Sequence, residues 1–183
     1  AIALNDTRVF AGRLRANKST GGRVELLLLR RMGARTWEAM VKGRGMGPGA
    51  SVEIEGGRLS AQVLADAGGS RRVVKFSRSI SPILHDIGKI PLPPYVKNRL
   101  IEDERYQTVY GAVDGSAAAP TAGLHFTSQL LAELREKGVK IVMVTLHVGV
   151  DTFGPVVTEK VIDHPIHSEW CCLDETAAET INS

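Results

Sequence analysis

The sequence has few cysteines and no long apolar segment, and each absence excludes a class of protein. Its two cysteines are the adjacent Cys171 and Cys172, which cannot form the framework of bridges that holds small secreted domains together. No apolar run approaches the roughly 20 residues that a membrane-spanning helix needs, and no signal-peptide pattern opens the chain. We therefore predict a protein of the reducing cytoplasm.

Acidic residues are scarce in the first part of the chain. Residues 1–80 hold 15 Lys and Arg against 6 Asp and Glu, a net charge of +9, whereas residues 81–183 hold 8 against 14, a net charge of −6; the two sum to +3. This asymmetry predicts two units, the first of which binds a polyanion. On charge alone, a basic surface that is only solvated explains the pattern equally well.

The two parts also differ in their predicted secondary structure. Residues 8–80 contain short alternating or apolar segments with turn signals about every ten residues, which is typical of a small barrel or sandwich. The proline-rich segment 90–98 marks a boundary, because proline cannot donate to a sheet. Beyond it, the pattern predicts helices over 98–112 and 128–138, followed by a strand within 139–150 that is covered on both faces. Helix followed by buried strand indicates an α/β unit.

The glycine-rich segment GRGMGPG, residues 43–49, partly fits a dinucleotide-binding loop. Such a loop must open a helix, whose N-terminus holds the pyrophosphate, but a predicted strand, SVEIEG, follows here. We interpret the segment as a wide turn between strands. A loop that lies against a nucleic-acid backbone is the alternative.

Two histidines occupy positions where ligands bind in α/β proteins. His147 follows the apolar strand, at the end where parallel sheets bind ligands; the alternative is a core histidine. His125 lies among the small residues of 115–127, just before a helix that Thr127 can cap. Small residues let a flat ligand approach the backbone, and a helix N-terminus favours an anion such as an amino-acid carboxylate. Tight packing is the alternative.

A third group of polar residues lies within 163–171, DHPIHSEWC. His164 and His167 are three apart, a spacing that two metal ligands can have, but Pro165 between them breaks a helix. No cysteine pair and no H-E-x-x-H pattern supports zinc. General acid–base chemistry by a histidine or by Glu169 is therefore favoured over a metal site.

Six segments, in the same order, resemble one family: the S-adenosylmethionine:tRNA ribosyltransferase-isomerases of queuosine biosynthesis. GSAAAPTAGLHFT followed by TLHVG is the most specific pair. Two positions depart from the family pattern, Asp151 and Gly154, where the family usually has glycine and a larger or basic residue. The segments are LNDTRVFAGRL (4–14), PLPPYVKN (91–98), DERYQTVY (103–110), GSAAAPTAGLHFT (115–127), VTLHVGVDTFGPV (144–156) and DHPIHSEW (163–170).

The resemblance implies an α/β plus β fold, with a larger α/β barrel-like domain and a smaller inserted β-barrel domain. Residues 8–90 would form the small, basic β-barrel domain, and residues 1–7 with 91–183 part of the α/β barrel-like catalytic domain. The chain opens without methionine and closes inside a predicted helix, ETINS. We therefore expect a piece of a longer protein.

The resemblance also implies a transferase and isomerase reaction. The ribosyl part of S-adenosylmethionine is joined to 7-aminomethyl-7-deazaguanine at the wobble position of tRNA, giving epoxyqueuosine with release of adenine and methionine. S-adenosylmethionine is a consumed substrate, so no cofactor and no metal are expected. The partners are tRNA and S-adenosylmethionine, and we expect a cytoplasmic monomer.

The reaction needs a base for the proton at ribose C5′, next to the sulfonium, and an acid for departing adenine. We assign removal of the C5′ proton to His125 or His147. We assign action on the departing adenine or on the attacking amine to His167 or Glu169. A catalytically incomplete fragment that only binds tRNA, and a methyltransferase-like enzyme, are the alternatives. The expected substrate-binding residues are Asp6, Thr7, Arg8, Ser116, Thr121, Gly123, Phe126, Thr127, Gly149, Thr152, His164 and Ser168.

Overall fold

A computed structural model describes residues 1–55, 59–92, 96, 103–153, 158–164 and 166–183. Contacts divide the chain into two units: Phe10–Pro91 forms one, and Ala1–Val9 together with Leu92–Ser183 forms the other. Within the described ranges, every helix is too short or too polar to cross a lipid bilayer.

The unit Phe10–Pro91 is a closed barrel of six antiparallel strands, as its turn spacing predicts. The sheet runs in the order β4-β5-β8-β7-β6-β3 and closes because β3 also pairs with β4. A short strand, β9, pairs with one end of β3. A single-turn helix, α1, precedes β9. These elements are β3 (Arg13–Asn17), β4 (Arg23–Arg31), β5 (Thr36–Lys42), β6 (Ser51–Ile54), β7 (Leu59–Asp66), β8 (Arg71–Phe76), α1 (Leu84–Ile87) and β9 (Gly88–Lys89).

Alternation along the strands builds the barrel core. In β4, Val24, Leu26 and Leu28 are buried, and the residues between them are not. The segment 43–49 joins β5 to β6 with positive φ at Gly45 and Gly49, and a strand follows it. The prediction of an inter-strand turn is therefore confirmed, because a phosphate loop would have opened a helix.

In its described residues, the second unit contains two small sheets, two α-helices and several short 3-10 helices. In one sheet, β11 lies between β1, parallel to it, and β12, antiparallel to it; in the other, β2 and β10 are parallel. Helix α3 packs on β11. The elements are β1 (Ile2–Asn5), β2 (Thr7–Val9), β10 (Val113–Ser116), α2 (Ser128–Glu136), β11 (Ile141–His147), β12 (Trp170–Cys172) and α3 (Glu175–Asn182).

The helix predicted over 98–112 is wrong in its described part. A 3-10 helix spans Asp103–Tyr106, and turns follow it. Gln107 explains the difference: its side chain accepts from the amide of Val9 at 3.0 Å and donates to the carbonyl of Val9 at 2.7 Å. Long-range pairing with β2 thus overrides the local helical pattern. Residues 97–102 lie outside the described ranges.

The predictions for α2 and β11 are confirmed, with one difference. Thr127 caps α2 by accepting from the amide of Leu130 at 3.1 Å, and Gly138 follows the helix with φ of +78°. Strand β11 forms as expected, but only Val142 is fully buried along it. The described structure therefore does not cover both faces of this strand.

Candidate active site

His147 lies at the C-terminal end of β11, which pairs with β1 along its first part and with β12 along its last part. Strand β1 runs parallel to β11 with Asn5 opposite Val144, and β12 runs antiparallel with Trp170 opposite His147. The Trp170 ring stacks on the imidazole, with centroids 4.8 Å apart and planes inclined by 21°. The half-buried imidazole therefore has a fixed neighbour on the surface of the sheet.

The segment after β1 is bonded to β11 just before His147. The Asn5 amide donates to the carbonyl of Leu146 at 2.9 Å, and its oxygen accepts from the amide of Leu146 at 3.0 Å. Asp6 accepts a hydrogen bond from the Thr145 hydroxyl at 2.7 Å. These contacts take the place of backbone hydrogen bonds between the strands, which stop where β1 ends. They hold residues 5–7 beside the imidazole.

One buried hydroxyl contacts His147 Nδ1, and a second buried hydroxyl contacts the first. Thr7 Oγ1 lies 2.8 Å from His147 Nδ1 and 2.7 Å from Ser116 Oγ. Ser116 Oγ accepts from the amide of Val148 at 2.8 Å. Strands β2 and β10, paired side by side, bring these two hydroxyls together.

Gly115 provides the room for the imidazole. A Cβ atom at this position would overlap the Nε2, Cε1 and Cδ2 atoms of His147. Because three ring atoms are affected at once, a flat face of the imidazole lies against Gly115. A larger residue would displace the ring.

Burial lowers the pKa of His147, and the carboxylates of Asp6 and Asp114 oppose that shift. The net direction is downward, because removing the charged imidazolium from water outweighs the attraction of two carboxylates. A pKa below the ordinary value keeps the imidazole neutral at pH 7. A neutral imidazole has one donor and one acceptor nitrogen, as a proton-transfer group requires.

A second polar group forms around Glu169, one residue before the Trp170 that stacks on His147. Glu169 Oε1 accepts from the amide of Gly149 at 2.9 Å and lies 3.1 Å from His167 Nε2. The Thr152 hydroxyl donates to the carbonyl of Gly149 at 2.8 Å. The structure thus brings Gly149, Thr152, His167 and Glu169 together, as their assignment to one site requires.

The segment 115–127 combines close packing with an exposed end. Gly123 is buried beneath Tyr110, whose hydroxyl a Cβ at Gly123 would overlap. Tyr110 meets Phe126 edge to face, with centroids 6.3 Å apart, and burial raises the pKa of the Tyr110 phenol. Gly123 therefore serves packing, and the approach of a ligand to this segment stays a prediction.

The remaining predicted residues lie apart from these contacts. Thr121 and His125 are exposed at the two ends of a 3-10 helix; in the described ranges, no hydrogen bond joins His125 to the His147 group. Arg8 forms an ion pair with Glu104. His164 is half-buried, Ser168 is exposed, and the catalytic and binding roles of all these residues stay predictions.

No cluster of three or more histidine, cysteine, aspartate or glutamate side chains in the described ranges could hold a metal ion. Three residues of the site were not predicted from the sequence: Gly115, Trp170 and Tyr110. Trp170 directly follows Glu169, and Gly115 begins the most specific segment, but their contacts with His147 depend on pairing between distant strands. Neither local signal could have placed them against the imidazole.

We expect His147 to titrate below the ordinary imidazole pKa of about 6.5. The imidazole would have a higher pKa in the unfolded chain than in the folded chain. Between these two pKa values, the unfolded chain therefore binds more protons. The stability that depends on a neutral His147 is complete above about pH 6.5 and is lost as the pH falls through the pKa of the folded chain. A pH titration of the ring protons by NMR measures the shift, and a midpoint at or above the ordinary imidazole value contradicts it.

A family model and two curated relatives match nearly the whole of this chain. A family model described as "Queuosine biosynthesis protein" matches residues 1–183. The S-adenosylmethionine:tRNA ribosyltransferase-isomerase of Clostridioides difficile is 47% identical over 185 residues, covering 99% of this chain and 54% of the relative. The protein of the same name from Clostridium kluyveri is 47% identical over 186 residues, covering 100% of this chain and 54% of the relative.

A solved structure of S-adenosylmethionine tRNA ribosyltransferase from Thermotoga maritima is 27% identical, covering 80% of this chain and 40% of that chain. Its TM-score of 0.37 is too low to support a comparison of folds. The chain spans about half the length of the curated relatives it matches. With a family model matched from its first residue to its last, this chain belongs to the family of queuosine biosynthesis proteins.

Proposed function

We propose that this chain carries the S-adenosylmethionine-binding and tRNA-binding parts of a tRNA ribosyltransferase-isomerase. The observation that carries the proposal is 47% identity, over 99% of the chain or more, to two relatives with that name. The reaction transfers and isomerises the ribosyl part of S-adenosylmethionine onto 7-aminomethyl-7-deazaguanine in the tRNA wobble position. Epoxyqueuosine, adenine and methionine are the products.

We also propose that strands β1, β2, β10 and β11 belong to the larger α/β barrel-like domain of such an enzyme. Two observations support this assignment: β1 and β11 are parallel, and so are β2 and β10. Parallel strands are typical of α/β folds, in which ligands bind at the C-terminal ends. His147 lies at such an end, and a monomeric, cytoplasmic protein without a metal stays a prediction.

The residues around His147 and Glu169 fit the chemical steps. Removal of the proton from C5′ and protonation of departing adenine each need a group that exchanges protons near neutral pH. The imidazole of His147 has a lowered pKa and so is neutral there. Glu169, 18% exposed in its side chain, can act on the amine or the leaving base together with His167.

The tRNA backbone would bind at one end of the barrel, where exposed cations surround the turn between β4 and β5. Arg31 donates to the carbonyl of Gly33 within this turn. Arg35 donates to the carbonyl of Ser77 just after β8, and Lys75 pairs in register with Thr36. Arg31, Arg35 and Lys75 therefore lie on neighbouring segments, and we name them the turn cluster.

The carboxylate of Glu38 neutralises part of the adjoining surface but not the turn cluster. Arg30 and Arg71 both contact it, at 3.3 Å and 3.4 Å. Within the part of the chain that the structure describes, no carboxylate forms an ion pair with Arg31, Arg35 or Lys75. Positive charges without carboxylate partners attract phosphates most strongly.

Replacing Arg31, Arg35 and Lys75 together by alanine should weaken tRNA binding uniformly across tRNA sequences. Each lost phosphate contact should lower the magnitude of the slope of log K against log salt by about 1. Filter binding at several salt concentrations measures both quantities. The matched control removes three exposed cations from the other unit, Arg135, Lys137 and Lys160; an equal loss of affinity in this control contradicts a specific role of the turn cluster.

Release of adenine from S-adenosylmethionine tests the proposed function directly. We expect adenine to appear only when the tRNA carries 7-aminomethyl-7-deazaguanine, because the amine consumes the ribosyl group. Salt-sensitive tRNA binding without adenine release would instead support the alternative, a catalytically incomplete tRNA-binding fragment. Methylation of a substrate, with loss of the sulfonium methyl group, would point to a methyltransferase.

A further inference from the structure

Two buried hydroxyls form a continuous hydrogen-bonded chain from the backbone to His147. The chain runs from the amide of Val148 to Ser116 Oγ, then to Thr7 Oγ1, then to His147 Nδ1, with steps of 2.8, 2.7 and 2.8 Å. Thr7 is 1% exposed and Ser116 is 0% exposed. Bulk water is therefore kept from both hydroxyls, and each must satisfy its hydrogen within the protein.

The backbone fixes the direction of the first two steps. An amide can only donate, so Ser116 Oγ accepts from Val148. In the part of the chain that the structure describes, the other partner of Ser116 Oγ is Thr7 Oγ1. Ser116 therefore donates its own hydrogen to Thr7.

The remaining hydrogen, on Thr7, has two acceptors at very different distances. His147 Nδ1 lies at 2.8 Å, whereas the carbonyl oxygen of Val113 lies at 3.5 Å. A hydroxyl hydrogen bond to oxygen normally spans about 2.5–3.0 Å, so the contact with Val113 is long. Thr7 therefore donates to Nδ1, which then carries a lone pair and not a proton.

The opposite arrangement leaves a buried donor poorly satisfied. If Nδ1 carried the hydrogen, it would donate to Thr7, and the Thr7 hydrogen would have to turn to Ser116 or to Val113. In the first case Ser116 loses its acceptor, and in the second Thr7 keeps only the long contact. A buried hydroxyl without an acceptor is unfavourable, so the network selects one tautomer.

We propose that Thr7 and Ser116 are positioning residues that hold His147 in the tautomer with its proton on Nε2. The neutral ring then presents a hydrogen-bond donor, and not a base, to a bound substrate. The tautomer is a property of this chain, whereas its use toward a substrate rests on the proposed function. In that reaction His147 would donate a hydrogen bond from Nε2 to the departing adenine and keep its own proton, and the proton at C5′ would be removed by His125 or by the Glu169 carboxylate.

Nitrogen NMR tests the tautomer without any substrate. In the full 183-residue chain labelled with ¹⁵N-histidine, long-range proton–nitrogen spectra identify which ring nitrogen carries hydrogen. The pH is set about two units above the ordinary imidazole value, so that the His147 ring is neutral. We expect His147 to show the Nε2–H form alone, whereas a histidine in a short unstructured peptide reports the equilibrium of a ring without this network.

Two variants separate a positioning role from a merely structural one. Thr7→Val should shift His147 toward the mixture of tautomers that the peptide shows, whereas Thr7→Ser should keep the wild-type pattern because it retains the hydroxyl. Circular dichroism verifies that each variant is folded. Hydrogen on Nδ1 in the wild-type chain overturns the proposal whatever the variants do, and so does an unchanged pattern in folded Thr7→Val.

The outcome is independent of the adenine-release assay. The Nε2–H form without adenine release would support the positioning role and count against the proposed function. Adenine release with hydrogen on Nδ1 would support the function and overturn the positioning role. In the second case His147 would become available as the base.

Discussion

Replacing His147 by alanine is expected to lower the rate of adenine release by about 10²–10³-fold, the usual cost of removing one positioned hydrogen-bond donor from the charge that develops in the reaction. The variant removes the imidazole that Thr7 contacts at 2.8 Å and that Trp170 stacks on. The rate is measured with tRNA that carries 7-aminomethyl-7-deazaguanine. A loss in the rate constant, rather than in affinity for S-adenosylmethionine, would place His147 in the chemical step.

Two further variants sharpen this test. His85→Ala removes an exposed histidine of the barrel unit, 78% exposed in its side chain, and should leave the rate unchanged. His147→Gln replaces the ring by an amide that can still donate, so it should retain more activity than His147→Ala if His147 acts as a donor. Equal rates for His147→Ala and the wild-type protein would remove His147 from the mechanism.

Replacing Gly115 by alanine should displace the same imidazole through packing alone. The added Cβ would overlap three ring atoms of His147, and the ring cannot move without losing the Thr7 contact or the Trp170 stack. Overpacking of this kind typically costs about 1–3 kcal/mol of unfolding free energy. We expect a loss of stability in this range together with a loss of adenine release.

Urea unfolding followed by tryptophan fluorescence measures the effect. The chain has two tryptophans, and Trp37 lies in the barrel core, so a Trp37→Phe background leaves Trp170 to report on the site. Gly47→Ala is the matched control, because a Cβ at Gly47 would meet no atom within 4 Å. Equal stability of the Gly115→Ala and Gly47→Ala variants would show that the imidazole does not rest on Gly115.

Local patterns were sufficient for the elements whose stability is local. A short apolar run predicted β4 and alternation predicted β5; in both strands every second residue faces the barrel core. The Thr127 cap and Gly138 marked α2, since both act on the backbone within a few residues. The pattern failed over 107–112, where the side chain of Gln107 bonds to Val9, 98 residues away.

The candidate site was only partly predictable for the same reason. The sequence alone determined the family, through motifs in a fixed order, and identified His147 and Glu169 as residues able to transfer protons. Only the tertiary structure joined Thr7 to His147, 140 residues apart, and to Ser116, 109 residues apart. These contacts follow from the register of paired strands and from burial, which belong to the folded chain as a whole. A residue's type and neighbours set what it can do chemically; the packing of distant strands decides which partner it meets.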